Sequence, residues 1–385
     1  MKKLLLVLGI LVLFAAEILR VYFIMPFPGS QKSDTIDIAY FLQNNILYIR
    51  IVALLLIVYA LVGRFSKWRT WQKVILIIIG LLYAGLFYMV NFKFLADKMF
   101  YQPTNKNLVG QSANTVEKDK LVVGVTINNE SKAYPIEIIG YHHQVQDTIG
   151  GEPVIVTYCT VCRTGRVFSP YVNGKKENFR LVGMDHFNAM FEDVTTKSWW
   201  RQVTGEAITG KLKGQQLPEV YSTQTSLAQW LQLNPGSLVM QADSTFINSY
   251  DTTGKYESGK SKSSLTGTDS LSWKDKSWVI GVKAGANKKV YDWNKLKSER
   301  IIQDKIEGTP VLIVLADDNK SFFAFERPSE NSTFSLSADV LHYENHHFRI
   351  DGKGIDTSFS LKPLQASQEF WHSWRTFYPD TKKDN

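Results

Sequence analysis

The chain has 385 residues and a net charge of +8, and 44% of its residues are hydrophobic. This apolar content excludes a disordered chain, and a count of only two cysteines excludes a disulfide framework. Residues 1–100 hold eleven Lys and Arg against four Asp and Glu, whereas the remaining 285 residues hold 33 against 32. Because the positive charge lies in the most apolar part of the chain, it is typical of a membrane protein, and we expect no nucleic acid partner.

Three apolar segments near the N-terminus predict transmembrane helices, since each approaches the roughly 20 residues that span a bilayer. The predicted spans lie at about residues 4–24, 46–62 and 74–92. Their apolar runs have no polar face, so we expect a lipid bilayer around them. Glu17 is expected to face another helix, and Arg20 and Arg50 to extend towards the ends of their spans.

The distribution of lysine and arginine predicts the orientation of the spans. Cations precede the first span and fill residues 64–73 between the second and third spans, whereas the first loop has one lysine against two aspartates. The positive-inside rule then places everything after about residue 100 outside the cytoplasm, in a multi-pass protein of the plasma (inner) membrane. Alternatively, Met1–Ala16 is a cleaved signal peptide, which leaves two spans and the same outward placement.

After a linker at residues 101–119, short apolar strands and turns predict an α+β domain rich in β-structure. VVGVTINNESKAYP at 122–135 resembles VIGVKAGANKKVYD at 279–292, and Gly124 matches Gly281 at an offset of 157 residues. The same offset relates VQDTIGGEPVIV to IQDKIEGTPVLI. We therefore predict two pseudo-symmetric halves. They comprise a first half at 120–250, a linker at 251–275 and a degenerate second half at 276–382.

Residues present in only one half are candidates for function, and both cysteines are among them. Cys159 and Cys162 form a CxxC motif after a buried strand, where the second half has Ala316 and Asn319. One interpretation is a thiol–disulfide couple, with Arg163 lowering the pKa of a thiol. Another is a structural disulfide in a non-enzymatic binding or structural module. The spacing alone leaves both open.

A metal site is the remaining interpretation of the cysteines. His142 or His186 could complete a Zn or Cu site with the two thiolates. In the redox interpretation, His142 accepts the thiol proton and Glu206, in a TGEA segment of the first half, orients that histidine or acts as an acid. We therefore expect both cysteines at the mouth of a pocket, with His142 and Glu206 within reach.

Several ordered motifs resemble the domain of unknown function 3179 family over about residues 120–380. They are AYPIEIIGYHHQVQDTIGGEPVIVTYC, TYCTVCRTGRVF and the later TGEA segment. The family pattern includes the two cysteines, His142 and Asp147, although many members have Pro-Leu where this chain has Thr160 and Val161. Some relatives carry selenocysteine in the motif, so the resemblance implies redox chemistry with an unknown protein or small-molecule partner. The family itself has no established activity.

Overall fold

The structure is a computed structural model that describes residues 1–384. It contains eight α-helices within those residues, and three apolar helices are followed by a chain rich in strands, which confirms the predicted α+β class. The helices are α1 (Lys2–Tyr22), α2 (Ile36–Leu61), α3 (Thr70–Met89), α4 (Ala96–Met99), α5 (Ile136–His142), α6 (Leu227–Leu233), α7 (Trp293–Glu299) and α8 (Trp371–Phe377).

The strands are short, and more of them lie before residue 250 than after it. Those before residue 250 are β1 (Leu108–Val109), β2 (Leu121–Ile127), β3 (Glu130–Pro135), β4 (Gln144–Ile149), β5 (Glu152–Cys159), β6 (Thr164–Phe168), β7 (Tyr171–Val172), β8 (Lys175–Lys176), β9 (Phe179–Asp185), β10 (Asn188–Asp193), β11 (Trp199–Arg201), β12 (Ala207–Thr209), β13 (Thr223–Ser226) and β14 (Leu238–Met240). Those after it are β15 (Trp278–Ala284), β16 (Asn287–Asp292), β17 (Ile301–Ile306), β18 (Thr309–Leu315), β19 (Phe322–Glu326), β20 (Ser335–Ser337), β21 (Val340–Tyr343), β22 (His346–Arg349), β23 (Lys362–Pro363), β24 (Gln365–Phe370) and β25 (Lys382–Lys383).

The chain divides into two compact units, which are described separately. The helical unit comprises Met1–Tyr101, Phe179–Arg201 and Glu206–Gln215. The β unit comprises Gln102–Asn178, Gln202–Gly205 and the described chain from Gln216 onwards.

Three helices of the helical unit are long and apolar enough to cross a membrane. They are α1, α2 and the segment Thr70–Phe94, which includes α3. Helix α2 begins at Ile36, ten residues before the predicted span, because the intervening polar residues fit a helix. The amides of Asn44 and Asn45 each donate to a backbone carbonyl one turn earlier at 2.9 Å. Hydropathy thus marks the apolar part of this helix rather than its start.

A polar cluster joins the three long helices. Glu17 is fully buried, and its Oε1 atom lies 2.6 Å from Nε of Arg50 and accepts from the hydroxyl of Tyr83 at 3.2 Å. Asn91 accepts from Arg20 at 2.8 Å and from Arg50 at 3.0 Å. Glu17 therefore faces other helices as expected. The expectation for Arg20 was wrong, because its side chain is buried inside the bundle, where it donates to Asn91.

Strands β9–β12 form an antiparallel sheet of the helical unit, in the order β12-β11-β10-β9. The amide of Met184 on β9 donates to the carbonyl of Ile24, just after α1, at 2.7 Å. A Cβ atom added to Gly183 would lie 2.4 Å from the same oxygen. The sheet thus packs directly on the chain that leaves the first long helix.

Within the β unit, the order and bounds of elements recur at the offset seen in the sequence. The hairpin β2–β3, helix α5 and strands β4-β5-β6 are followed 157 residues later by β15–β16, α7 and β17-β18-β19. Each hairpin pairs on one side with an antiparallel strand, β13 or β24, and on the other with a short parallel strand, β14 or β25. The strand order in the two windows is therefore the same.

In both halves, a tryptophan ring of the last short helix packs against a glycine of the first strand of the hairpin. A Cβ atom on Gly124 of β2 would lie 2.3 Å from the ring of Trp230 on α6. On Gly281 of β15 it would lie 1.8 Å from the ring of Trp374 on α8. The last short helix of each half therefore packs on its first hairpin. Trp230 belongs to the main core of the first half, and Trp374 belongs to a smaller apolar cluster with Val279 and Val290.

Candidate functional site

The two cysteines occupy a tight turn between paired strands of the β unit. Cys159 is the last residue of β5 and pairs with Thr164, the first residue of β6. The intervening turn closes with Arg163 in the left-handed region at φ 57°. This reversal brings the Cys162 thiol back to the Cys159 thiol, with which it forms a hydrogen bond. Both side chains are fully buried, and both are held as thiols.

The corresponding turn of the second half has different chemistry. Asn319 takes the left-handed conformation there, at φ 56°. Asp318 fills the turn by accepting 2.8 Å hydrogen bonds from the amides of Lys320 and Ser321. Both halves thus have a turn at this point, but its left-handed residue lies one position earlier in the second half, and the sulfur atoms belong to the first half alone.

The cysteine turn contacts the second half where β24 meets α8. The amide of Phe370 donates to the carbonyl of Cys162 at 2.9 Å. Ser373 lies three residues later on α8, and its side chain forms a hydrogen bond with the Cys162 thiol. Residues more than 200 positions apart in the sequence therefore form one site.

Lys276 supplies the cation of this site. Its Nζ atom donates to the carbonyls of Val161 at 2.8 Å and Leu265 at 2.6 Å, and lies 3.2 Å from Nε2 of His372. Burial lowers the pKa of the Lys276 ammonium, while negative charge on Cys162 or Cys159 would raise it. The ammonium is therefore placed to stabilise a thiolate of the cysteine turn.

His372 is neutral in this setting. Burial, followed by the nearby charge of Lys276, lowers the pKa of its imidazole to about 4. Its Nε2 atom also lies 3.2 Å from the carbonyl of Val161. The imidazole thus completes the polar surroundings of the Lys276 nitrogen without adding a second charge beside the thiols.

The surroundings of the Cys162 thiol oppose the loss of its proton. Burial raises the pKa of this thiol well above its usual range, and the hydrogen bond with Cys159 and the charge of Cys159 act in the same direction. The hydrogen bond with Ser373 and the charge of Lys276 oppose them. A thiol of this kind reacts only after it has lost its proton, because the thiolate is the nucleophile.

Arg163 and the neighbouring Arg166 hold the two halves together. Arg163 donates to the carbonyls of Tyr256 and Glu257 at 3.0 Å, and its guanidinium stacks 3.8 Å from the centre of the Trp278 ring. Arg166 forms a buried ion pair with Glu369 of β24. The structure thus gives Arg163 contacts that position the turn, and its predicted effect on the pKa of a thiol stays a prediction.

The other predicted site residues are distributed over both units. His142 is fully buried in the β unit, with Nε2 2.9 Å from the hydroxyl of Tyr250. Glu206 belongs to the helical unit, where it pairs with Arg201 at 3.4 Å. The proposed roles of His142 and Glu206 beside the sulfur atoms stay predictions.

His186, the further ligand of the metal interpretation, also belongs to the helical unit. Its Nδ1 atom lies 2.6 Å from Oδ1 of Asp185, and this hydrogen bond raises the pKa of the imidazole. Among residues 1–384, no three His, Cys, Asp or Glu side chains are grouped so that they could hold a metal ion.

The family assignment rests on a comparison with family models. A model described as a protein of unknown function, DUF3179, matches residues 101–381. The chain belongs to the DUF3179 family. No curated protein and no solved structure matches it. The DUF3179 region contains the cysteine turn, Lys276 and His372, and it begins after the three long helices.

Sequence reasoning missed the second half's share of this DUF3179 site. Aligning the tryptophans of α6 and α8 places His372 opposite Ala228 and Ser373 opposite Gln229. The two residues are therefore specific to the second half, as the cysteines are specific to the first. The comparison that singled out the cysteines would have found them if it had been applied in both directions.

Proposed function

We propose that this DUF3179 protein is a membrane-anchored thiol–disulfide redox protein in which Cys159 and Cys162 alternate between dithiol and disulfide. The observation that carries the proposal is that the two thiols share a hydrogen bond beside one half-buried cation, Lys276, whose charge acts on both. Withdrawing part of an ammonium from water beside two buried thiols costs free energy, which favours a chemical role over simple packing.

The reaction is an exchange with a disulfide of a partner protein or small molecule. One cysteine loses its proton, its thiolate attacks a partner sulfur, and a mixed disulfide forms as the partner's S–S bond breaks. The second cysteine then attacks the mixed disulfide and releases the other partner sulfur. The two cysteines lose two protons and two electrons in total. The partner takes up these protons and electrons and is reduced to two thiols.

Lys276 stabilises the reactive thiolate of this exchange. Its ammonium lies beside the thiolate that forms when the thiol proton leaves, and that proton passes to the partner sulfur that the exchange releases. The Ser373 hydroxyl donates to Oε2 of Glu369 at 3.1 Å and is a further polar group beside the Cys162 sulfur. His372 keeps the Lys276 nitrogen in place at 3.2 Å.

We infer further that the DUF3179 region arose by internal duplication and lies outside the cytoplasm. The recurrence of elements after 157 residues supports the duplication. The cations of residues 64–73 support the orientation, because such loops stay in the cytoplasm. A C-terminal alkaline phosphatase fusion should therefore be active, and a fusion within residues 64–73 inactive; the reverse pattern would refute this placement.

The redox proposal is tested on the purified full-length chain in detergent. The protein is equilibrated with glutathione buffers of graded ratio, quenched with acid, denatured and labelled with a maleimide, and its mass is measured. We expect both thiols to be lost and recovered together, with one midpoint. Cys159→Ser and Cys162→Ser should each abolish this paired change.

Complete burial of the sulfur atoms favours a second candidate, a binding or structural module with inert thiols. In that case both cysteines stay labelled at every glutathione ratio at which the protein remains folded. The same serine variants would then lower only the melting temperature. This outcome would overturn the redox proposal.

A further inference from the structure

A groove opens between the long helices at the end where α1 and α3 begin and α2 ends. Its volume is about 360 Å³, within the range of small-molecule sites. Aliphatic side chains of two helices form its walls, among them Leu6 and Ile10 of α1 and Ile75 and Ile79 of α3. The groove can therefore accept an apolar chain lying along the helices.

The rim of the groove is positive. Lys2, Lys3 and Arg64 line it, and no Asp or Glu does. The sequence contains no acidic residue between positions 1 and 16 or between 38 and 96. Helices α1 and α3 also begin here without an acid in the first turn, so both present the positive ends of their dipoles. This is an uncompensated site for an anion.

Two features keep that charge at the mouth of the groove. Lys2 donates from Nζ to the carbonyl of Val62 at 3.1 Å and lies 5.0 Å from the centre of the Tyr59 ring. The lining also includes Trp68 and Trp71, and Trp71 is 58% exposed. Tryptophan at the end of a membrane helix prefers the level of lipid headgroups. The apolar wall, the aromatic rim and the cations thus follow one another along the groove as the acyl chain, the interfacial region and the phosphate do in a phospholipid.

We propose that the groove binds one anionic glycerophospholipid, with an acyl chain along α1 and α3 and the phosphate between Lys2, Lys3 and Arg64. Free phosphate is not the ligand, because most of the lining is aliphatic or aromatic. The acyl chains of a zwitterionic lipid fit the apolar walls equally well, but the cationic group of its headgroup is repelled by the positive rim. The site is independent of the redox proposal, since none of its residues lies in the DUF3179 region.

The experiment is native mass spectrometry of the full-length chain, delipidated in detergent and titrated with phosphatidylglycerol or with phosphatidylcholine of the same acyl chains. We expect one phosphatidylglycerol per chain at concentrations at which phosphatidylcholine is not retained. The triple variant K2Q/K3Q/R64Q should lower phosphatidylglycerol occupancy at least tenfold. Ile10→Trp, which fills the apolar wall and leaves the charges, should do the same.

The matched control is K67Q/R69Q, because it removes two cations of the same loop that do not line the groove. It should retain the lipid as the unmodified chain does. Equal occupancy in the triple variant and this control would overturn the proposal, as would equal retention of the two lipids. Binding of glycerol 3-phosphate in place of the lipid would show a simple anion site and overturn it as well.

Discussion

The Nζ atom of Lys276 lies 3.2 Å from Nε2 of His372, and both nitrogen atoms face the carbonyl of Val161 inside the CxxC turn. Lys276 precedes β15 and His372 lies on α8, so the second half of the DUF3179 region provides both. The cysteines of the first half thus receive a cation from the second half, which gives a half without cysteines a direct role at the sulfur atoms.

Replacing Lys276 by methionine should slow the oxidation of the thiols. Without the ammonium, the pKa of the Cys162 thiol rises further, and each additional pKa unit lowers the thiolate fraction about tenfold. We therefore expect oxidation by oxidised glutathione at about pH 8 to slow by about tenfold or more. Lys274→Met, an exposed lysine two residues earlier, is the control and should react at the normal rate. Equal rates in both variants would remove Lys276 from the reaction.

The buried ion pair of Arg166 and Glu369 should be a major link between the halves. Both side chains are fully buried, so Arg166→Leu leaves an uncompensated carboxylate and should lower the free energy of unfolding by about 3–5 kcal/mol. The double variant R166L/E369L should lose less, because the buried carboxylate of Glu369 is removed together with its partner. Chemical denaturation measures both.

The control for this pair is Arg375 with Asp275, a 2.7 Å pair whose side chains are 47% and 68% exposed. Since solvent screens such a pair, Arg375→Leu should cost only about 0–1 kcal/mol. Similar losses for Arg166→Leu and Arg375→Leu would contradict the proposed importance of the buried pair.

Gly281→Ala should destabilise the second half through its contact with α8. The new methyl group would lie 1.8 Å from the six-membered ring of Trp374, which must move away. Overpacking of this kind costs about 1–3 kcal/mol, measured as a lower melting temperature. Adding Trp374→Phe removes the ring atoms concerned and should recover part of the loss. Gly236→Ala, with no atom within 4 Å of the new Cβ, is the control and should be nearly neutral.

Glu257 should make stability depend on pH near neutrality. Burial raises the pKa of its carboxyl from 4.5 to about 7, while its Oε2 atom accepts from the amide of Leu121 at 3.0 Å. Because the folded-state pKa is raised, protonated Glu257 contributes fully below about pH 4.5, and that contribution is lost as pH rises through about 7. Glu257→Gln keeps the acceptor and removes the titration. The free energy of unfolding of the wild type should therefore fall relative to that of E257Q between about pH 5 and pH 8. A constant difference across this interval would show that Glu257 does not titrate there.

The sequence by itself determined the local elements of this protein. Long apolar runs require helices in a bilayer, since the backbone must satisfy its own hydrogen bonds there, and the three long helices followed. Short apolar runs separated by turns gave the hairpins, and similar runs 157 residues apart gave the same elements twice. These features depend on residues that are close together along the chain, so the order of residues in the sequence is enough to predict them.

Only the tertiary structure decided which distant residues meet. Val161 and Lys276 are 115 positions apart, yet a 2.8 Å hydrogen bond joins them because β24 and α8 pack against the cysteine turn. Strands β9–β12 likewise lie in the helical unit, although their sequence reads as part of the first half. Such pairings depend on the shape and charge of two surfaces after folding. Composition and periodicity describe each segment of the chain separately. They therefore identified the two cysteines but not Lys276 and His372, which a distant segment brings beside them.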